Sequence, residues 1–199
     1  MATNLVDDVP PERPPAASPQ GGTASSGRPV GRRASGLPPV LPRDARVLVL
    51  GSFPGLASLA ARQYYAHPRN HFWPVMATLL DEPLIELPYA RRLARMRARG
   101  VALWDTIVAC DRHASSDQSI RNAERAEVAR VRRAAPDIEV VAFNGNTAAR
   151  AAPRWRDAGY ETLALPSTSP AYTRPLSEKL AAWQVLRRWL PPAPRRSQR

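Results

Sequence analysis

A chain of 199 residues has room for one domain with a sizeable core and not comfortably for two. Its formal net charge of +12 and sequence pI near 11.3 favour an acidic partner, nucleic acid ahead of membrane surface, although the predominance of Arg over Lys fits a GC-rich genome as well. A single cysteine, Cys110, excludes an intrachain disulfide and a multi-cysteine zinc site and points to a reducing cytoplasm; no apolar run approaches the ~20 residues of a membrane span, and residues 1–20 lack the layout of a signal peptide.

Residues 1–39 are rich in Pro, Ala, Gly, Ser and Arg, and bury too little apolar surface to offset the entropy of ordering. They read as a disordered tail, with Arg32 and Arg33 either solvated or grazing phosphates, and folding is expected to begin near Val40. The run Val47 to Leu50 reads as a buried strand that ends abruptly in Gly51-Ser52-Phe53-Pro54-Gly55. In an open parallel sheet, ligands bind beyond the carboxyl ends of the strands, and glycines at both ends of such a loop admit a ligand close to the backbone. The stretch Gln63 to Trp73 then mixes aromatics, cations and an amide in a way that suits a flat, hydrogen-bonding ring better than a core. Phe72, Val75, Met76, Leu79 and Leu80 follow helical spacing, with Asn70 at the N-cap position and Pro74 in the first turn. Asn70 thus has a capping role and a site role, which are compatible.

Pro88 to Gly100 predicts a second helix with a basic, solvated face. Val101 to Trp104 reads as a short buried strand ending in Asp105. Beyond the polar segment at 112–118, a basic helix is expected from near Ser119 to Ala135, with Asp117 either capping it or serving the site. Ile138 to Phe143 forms the third strand, terminating in Asn144, whose amide offers both a donor and an acceptor to a base edge. A short helix at 147–152 precedes the fourth strand, Tyr160 to Leu165. Pro166 to Pro175 is a loop, Leu176 to Leu190 a closing amphipathic helix, and 191–199 a basic tail. Strands alternating with helices, without hairpin signals, predict an α/β fold: a central four-stranded parallel sheet in a three-layer α/β/α arrangement over residues 40–190. Four loops, at 51–73, 105–121, 144–146 and 166–174, then lie at one edge of the sheet.

The segments GSFPG at 51–55, YYAHPRNHFW at 64–73, SIRNAE at 119–124 and LPSTSPA at 165–171 together resemble the motifs of the uracil-DNA glycosylase superfamily. They are most similar to the branch of mismatch-specific uracil-DNA and DNA-deoxyinosine (hypoxanthine-DNA) glycosylases, and Phe53 in place of Asn or Asp points to the deoxyinosine side. The resemblance implies a monofunctional enzyme that flips deaminated bases, hypoxanthine foremost, out of DNA and hydrolyses the N-glycosidic bond. It implies Asn70 as the catalytic residue, placing water or stabilising the leaving base. Tyr65 is the stacking aromatic, with Tyr64 as core filler. Asp105 lies beside the base, and Asn144 with the backbone of Ser52 and Phe53 reads its edge. Gly51, Pro54, Gly55, His67, Arg69, Ser167, Thr168, Ser169, Tyr172 and Arg174 are implied on the DNA side. Tyr172 stands where the family pattern has Asn, so Tyr172 or Arg174 is the wedge that fills the gap left by a flipped nucleotide.

A glycosylase that also nicks DNA needs an amine for a Schiff base. Lys179, the only lysine, falls in the last helix, away from the four loops, which predicts that an abasic site is left. No metal is expected, because Pro68 breaks the helical geometry that His67 and His71 need to share zinc, and Cys110 continues an apolar run that packs. No cofactor is required, and a cytoplasmic monomer acting on damaged DNA is expected. The alternatives are a mismatch-specific uracil-DNA glycosylase and a reader of damaged DNA that does not cut.

Overall fold

The computed structural model describes residues 33–111 and 120–192. Its centre is a parallel sheet of β2 (Val47–Gly51), β3 (Val101–Asp105), β6 (Val140–Asn144) and β7 (Glu161–Leu165), in the order β3-β2-β6-β7. β2 and β3 are buried at every position because helices cover both faces. Side-chain alternation divides each strand between two cores. Val47, Val49, Val101, Leu103, Val140 and Ala142 enter one, beneath α2 (Phe72–Leu80), α3 (Tyr89–Ala98) and α7 (Leu176–Trp183). Leu48, Leu50, Ala102, Trp104, Val141 and Phe143 enter the other, beneath α4 (Val128–Ala134), α5 (Asn146–Ala149) and α6 (Ala152–Asp157). The three-layer α/β/α arrangement expected from the sequence is therefore present.

A second sheet was not foreseen. β1 (Arg33–Ser35), β4 (Ile107–Asp111) and β5 (Arg121–Arg125) form an antiparallel sheet in the order β1-β4-β5. Only Thr106 separates β3 from β4. Three sequence expectations change as a result. The fold starts before Val40, because β1 pairs with β4 and Leu37 is buried. Residues 121–125 are strand, and the basic helix starts at Val128; β5 is exposed throughout, so it carries no apolar alternation to reveal it. The last helix ends at Trp183 and tightens into a 3-10 turn over Gln184–Arg188. The readings made for Asp117, and most of those made for the two tails, lie outside the described residues.

Candidate active site

The carboxyl ends of the parallel strands open into a cleft of about 730 Å³. Its walls come from the loop after β2 with the short helix α1 (Leu56–Ala61), from residues 64–70, from the ends of β3 and β6, and from the loop after β7. The loop after β2 is fixed by main-chain bonds. Thr106 and Ile107 donate their backbone N–H groups to the carbonyls of Gly51 (2.8 Å) and Ser52 (3.0 Å). The Thr106 hydroxyl adds a bond to the Ser52 carbonyl, so the junction of β3 and β4 clamps the loop. The small sheet also accommodates Phe53, which is buried: a Cβ at Gly36 would come 3.4 Å from its ring.

Gly51 faces the buried Asp105 across the β2–β3 register, and a Cβ at Gly51 would stand 2.3 Å from an Asp105 carboxylate oxygen. The same point is 3.4 Å from the Tyr65 hydroxyl, so only glycine lets carboxylate and phenol converge here. Tyr65 has φ +55°, an uncommon conformation for a bulky residue. Its neighbours impose it. The Tyr64 hydroxyl donates to the Pro38 carbonyl (3.2 Å), and Ala66 N–H donates to the Ser58 hydroxyl (3.1 Å). The Tyr65 ring stacks on Phe72 with centroids 3.7 Å apart. Burial, reinforced by the Asp105 carboxylate and opposed by the Asn144 amide, raises the Tyr65 pKa, so the hydroxyl stays protonated.

Asn70 sits at the entry to α2. Its backbone N–H donates to the His67 carbonyl (2.8 Å), and its Oδ1 accepts the Phe72 N–H (3.0 Å). That bond to the helix start fixes the amide plane and leaves the Nδ2 donor available.

The opposite wall hangs on side chains. Asn144 Nδ2 donates to the Thr168 hydroxyl (2.8 Å), while Asn144 Oδ1 accepts the Thr168 N–H (2.8 Å). Thr168 is wholly buried, and its carbonyl accepts the His71 N–H (2.9 Å). Trp183 Nε1 donates to the Pro166 carbonyl (3.0 Å). Gly145, at φ +95°, lets Ser167 pass close: a Cβ there would meet the Ser167 Cβ at 2.8 Å. The Ser167 and Ser169 hydroxyls accept the N–H groups of Ser169 and Ala171, forming tight local turns.

The model of the uracil DNA glycosylase superfamily matches residues 38–189. The chain belongs to the uracil DNA glycosylase superfamily. A hypoxanthine DNA glycosylase of Methanosarcina barkeri is 34% identical over 151 residues, spanning 76% of this chain and 96% of that protein. One from Methanosarcina acetivorans is 32% identical with the same coverage. A solution NMR structure from Methanosarcina acetivorans, described as a candidate uracil DNA glycosylase, superposes with a TM-score of 0.69 at 31% identity, covering 78% of this chain and 99% of that one.

Within this glycosylase, most of the residues expected at the site do gather. Gly51, Ser52, Phe53, Pro54, Gly55, Tyr65, His67, Asn70, Asp105, Asn144, Ser167, Thr168, Ser169 and Tyr172 all line the cleft. Arg69 and Arg174 do not: both are exposed outside it, and Arg174 pairs with Glu178 at 2.9 Å. Thr168 is wholly buried and exchanges two hydrogen bonds with the Asn144 amide, so this pair supports the wall. Lys179 also departs from expectation: its ammonium donates to the Tyr172 carbonyl (2.7 Å) and is not remote from the loops. Ser58, Gly145 and Asn146, within the expected loops but not singled out there, also line the cleft wall, as does Thr147, just beyond them. The GNT run directly after Asn144 was the available signal. Among the described residues, no group of three His, Cys, Asp or Glu side chains is placed to hold a metal, and no helix is long and apolar enough to cross a membrane.

Proposed function

We propose that this chain is a monofunctional DNA glycosylase that removes deaminated bases, hypoxanthine first, and leaves an abasic site. The observation that carries this reading is the pairing, in one cleft, of the Asn70 amide, held through Oδ1 by the Phe72 N–H, with the buried Asp105 carboxylate. Cleavage of the bond between the sugar C1′ and the base nitrogen sends the bonding pair to the base and leaves positive charge on the sugar. Asn70 Nδ2 donates to the base as its negative charge develops. Asp105 stabilises the cationic sugar, orients a water toward C1′ and accepts the proton that the water loses. Tyr65, backed by Phe72, presents a neutral aromatic surface against which an extruded base can rest. A purine base is favoured because Phe53 is turned into the small sheet and places no amide or carboxylate in the cleft, and because both Methanosarcina relatives carry the hypoxanthine name.

The Lys179 ammonium is 1% exposed and does not line the cleft, so it is not placed to attack C1′ of the sugar. The test is base release from oligonucleotides carrying hypoxanthine, uracil or xanthine, followed with and without alkali. Hypoxanthine release with strand breaks only after alkali is expected. Asn70→Ala should lower release by about 10²–10³-fold, the scale of one lost transition-state donor, while DNA binding persists. Unchanged release by that variant would remove Asn70 from the mechanism.

A further inference from the structure

Lysine is used once in this chain, among 29 basic residues, and it is buried. Lys179 lies on the inward stripe of α7, at i+3 from Leu176 and followed by Leu180 and Trp183, where helix periodicity calls for an apolar residue. Burying an ammonium carries a desolvation penalty, and among the described residues no carboxylate pairs with this one. Burial accordingly lowers its pKa.

What the ammonium does touch is one residue of the loop after β7. It donates to the Tyr172 carbonyl at 2.7 Å and lies 5.3 Å from the centroid of the Tyr172 ring. Tyr172 N–H is meanwhile bonded to the Ser169 carbonyl (3.0 Å). Carbonyl, amide and ring of Tyr172 are thus all fixed, and two of those contacts come from Lys179. A compact ammonium can serve a carbonyl and a ring face together, which the larger planar guanidinium does not do in the same space. Tyr172 is half-exposed and lines the cleft, whereas the other wedge candidate, Arg174, is tied to Glu178 outside it.

We propose that Lys179 is the positioning residue for the duplex wedge: it sets Tyr172 at the cleft rim, where the ring fills the gap left by an extruded nucleotide. The inference rests on the glycosylase reading above. Extrusion from a duplex breaks pairing and stacking that a single strand does not offer, so the wedge matters only for duplex DNA.

The test is Lys179→Met, with single-turnover release of hypoxanthine from one sequence presented single-stranded and as a duplex. The expected result is a duplex rate lowered by about tenfold or more, a single-strand rate within about twofold of the parent, and an undiminished Tm, because an apolar side chain suits the α7 stripe. Tyr172→Ala should lower the duplex rate at least as far as Lys179→Met, and the double variant should be no worse than Tyr172→Ala alone. Equal losses on both substrates, or a normal duplex rate, would overturn the assignment. A parent protein that releases hypoxanthine from neither substrate would overturn the glycosylase reading as well, and that result is distinct from a parent active on both.

Discussion

The loop after β2 is held mainly by backbone bonds, whereas the loop after β7 depends in addition on three side chains. Gly51 and Ser52 are fixed through carbonyls that bond the N–H groups of Thr106 and Ile107, an arrangement that depends on strand register and hardly on residue identity. Residues 166–172 hang instead from Asn144, Trp183 and Lys179, each making a bond that a different side chain would not make. The first wall is tolerant of substitution except where a side chain would intrude on Asp105. The second is sensitive one residue at a time.

The largest effect expected from this contrast between the two loops lies on the tolerant wall, at that exception. Gly51→Ala places a methyl 2.3 Å from the buried Asp105 carboxylate at the carboxyl end of β2, so Asp105 must turn away. Release should fall by about 10²-fold on single-stranded and duplex DNA alike, and stability by about 1–3 kcal/mol through overpacking. Urea unfolding and single-turnover release measure the two separately. Release at the parental rate would show that Asp105 needs no fixed position.

Asn144→Ala tests the other wall. It leaves the Thr168 N–H and hydroxyl in a wholly buried site without their partner, which should cost about 1–3 kcal/mol of stability. Asn144→Asp should recover only part of this, because a carboxylate accepts the N–H but cannot donate to the hydroxyl in the same way. If Asn144→Ala unfolds at the parental urea concentration, Asn144 is not what holds this wall, and its amide is open to the base-reading role that its position after β6 first implied.

The same contrast governs what could be read from the sequence. Backbone-held features announce themselves through pattern: Val47 to Leu50, Val101 to Trp104 and Val140 to Phe143 are unbroken apolar runs, and the polar residues that end the last two, Asp105 and Asn144, land at the strand ends as expected. β5 is exposed on every residue, and β1 is three residues long, so neither leaves a periodic trace; both exist because β4 offers them an edge. Side-chain tethers are invisible for another reason. The bonds that tie Asn144 to Thr168 and Lys179 to Tyr172 span 24 and 7 residues and are set by tertiary packing, which no local pattern records. The motifs converge on one cleft, whereas the side-chain bonds that hold its wall leave no mark in them.

His71 joins the two walls and carries the smallest expected effect. Its N–H bonds the Thr168 carbonyl, and its imidazole, with Nδ1 buried and unpartnered, has a pKa below 6.5 through burial and the nearby Lys179 cation. The unfolded chain therefore binds more protons than the folded one between that lowered value and about 6.5, and stability rises with pH across the interval. Above it the imidazole is neutral in both states and the contribution is level. Urea unfolding between about pH 5 and 7.5 should accordingly give a shallower pH slope for His71→Gln than for the parent, with the curves converging in shape above about pH 7. Because a protonated His71 would sit beside a loop tethered by Lys179, acid should also weaken duplex release before single-strand release. Parallel stability curves for parent and variant would mean that His71 keeps its ordinary pKa and that the two walls are joined through its backbone N–H alone.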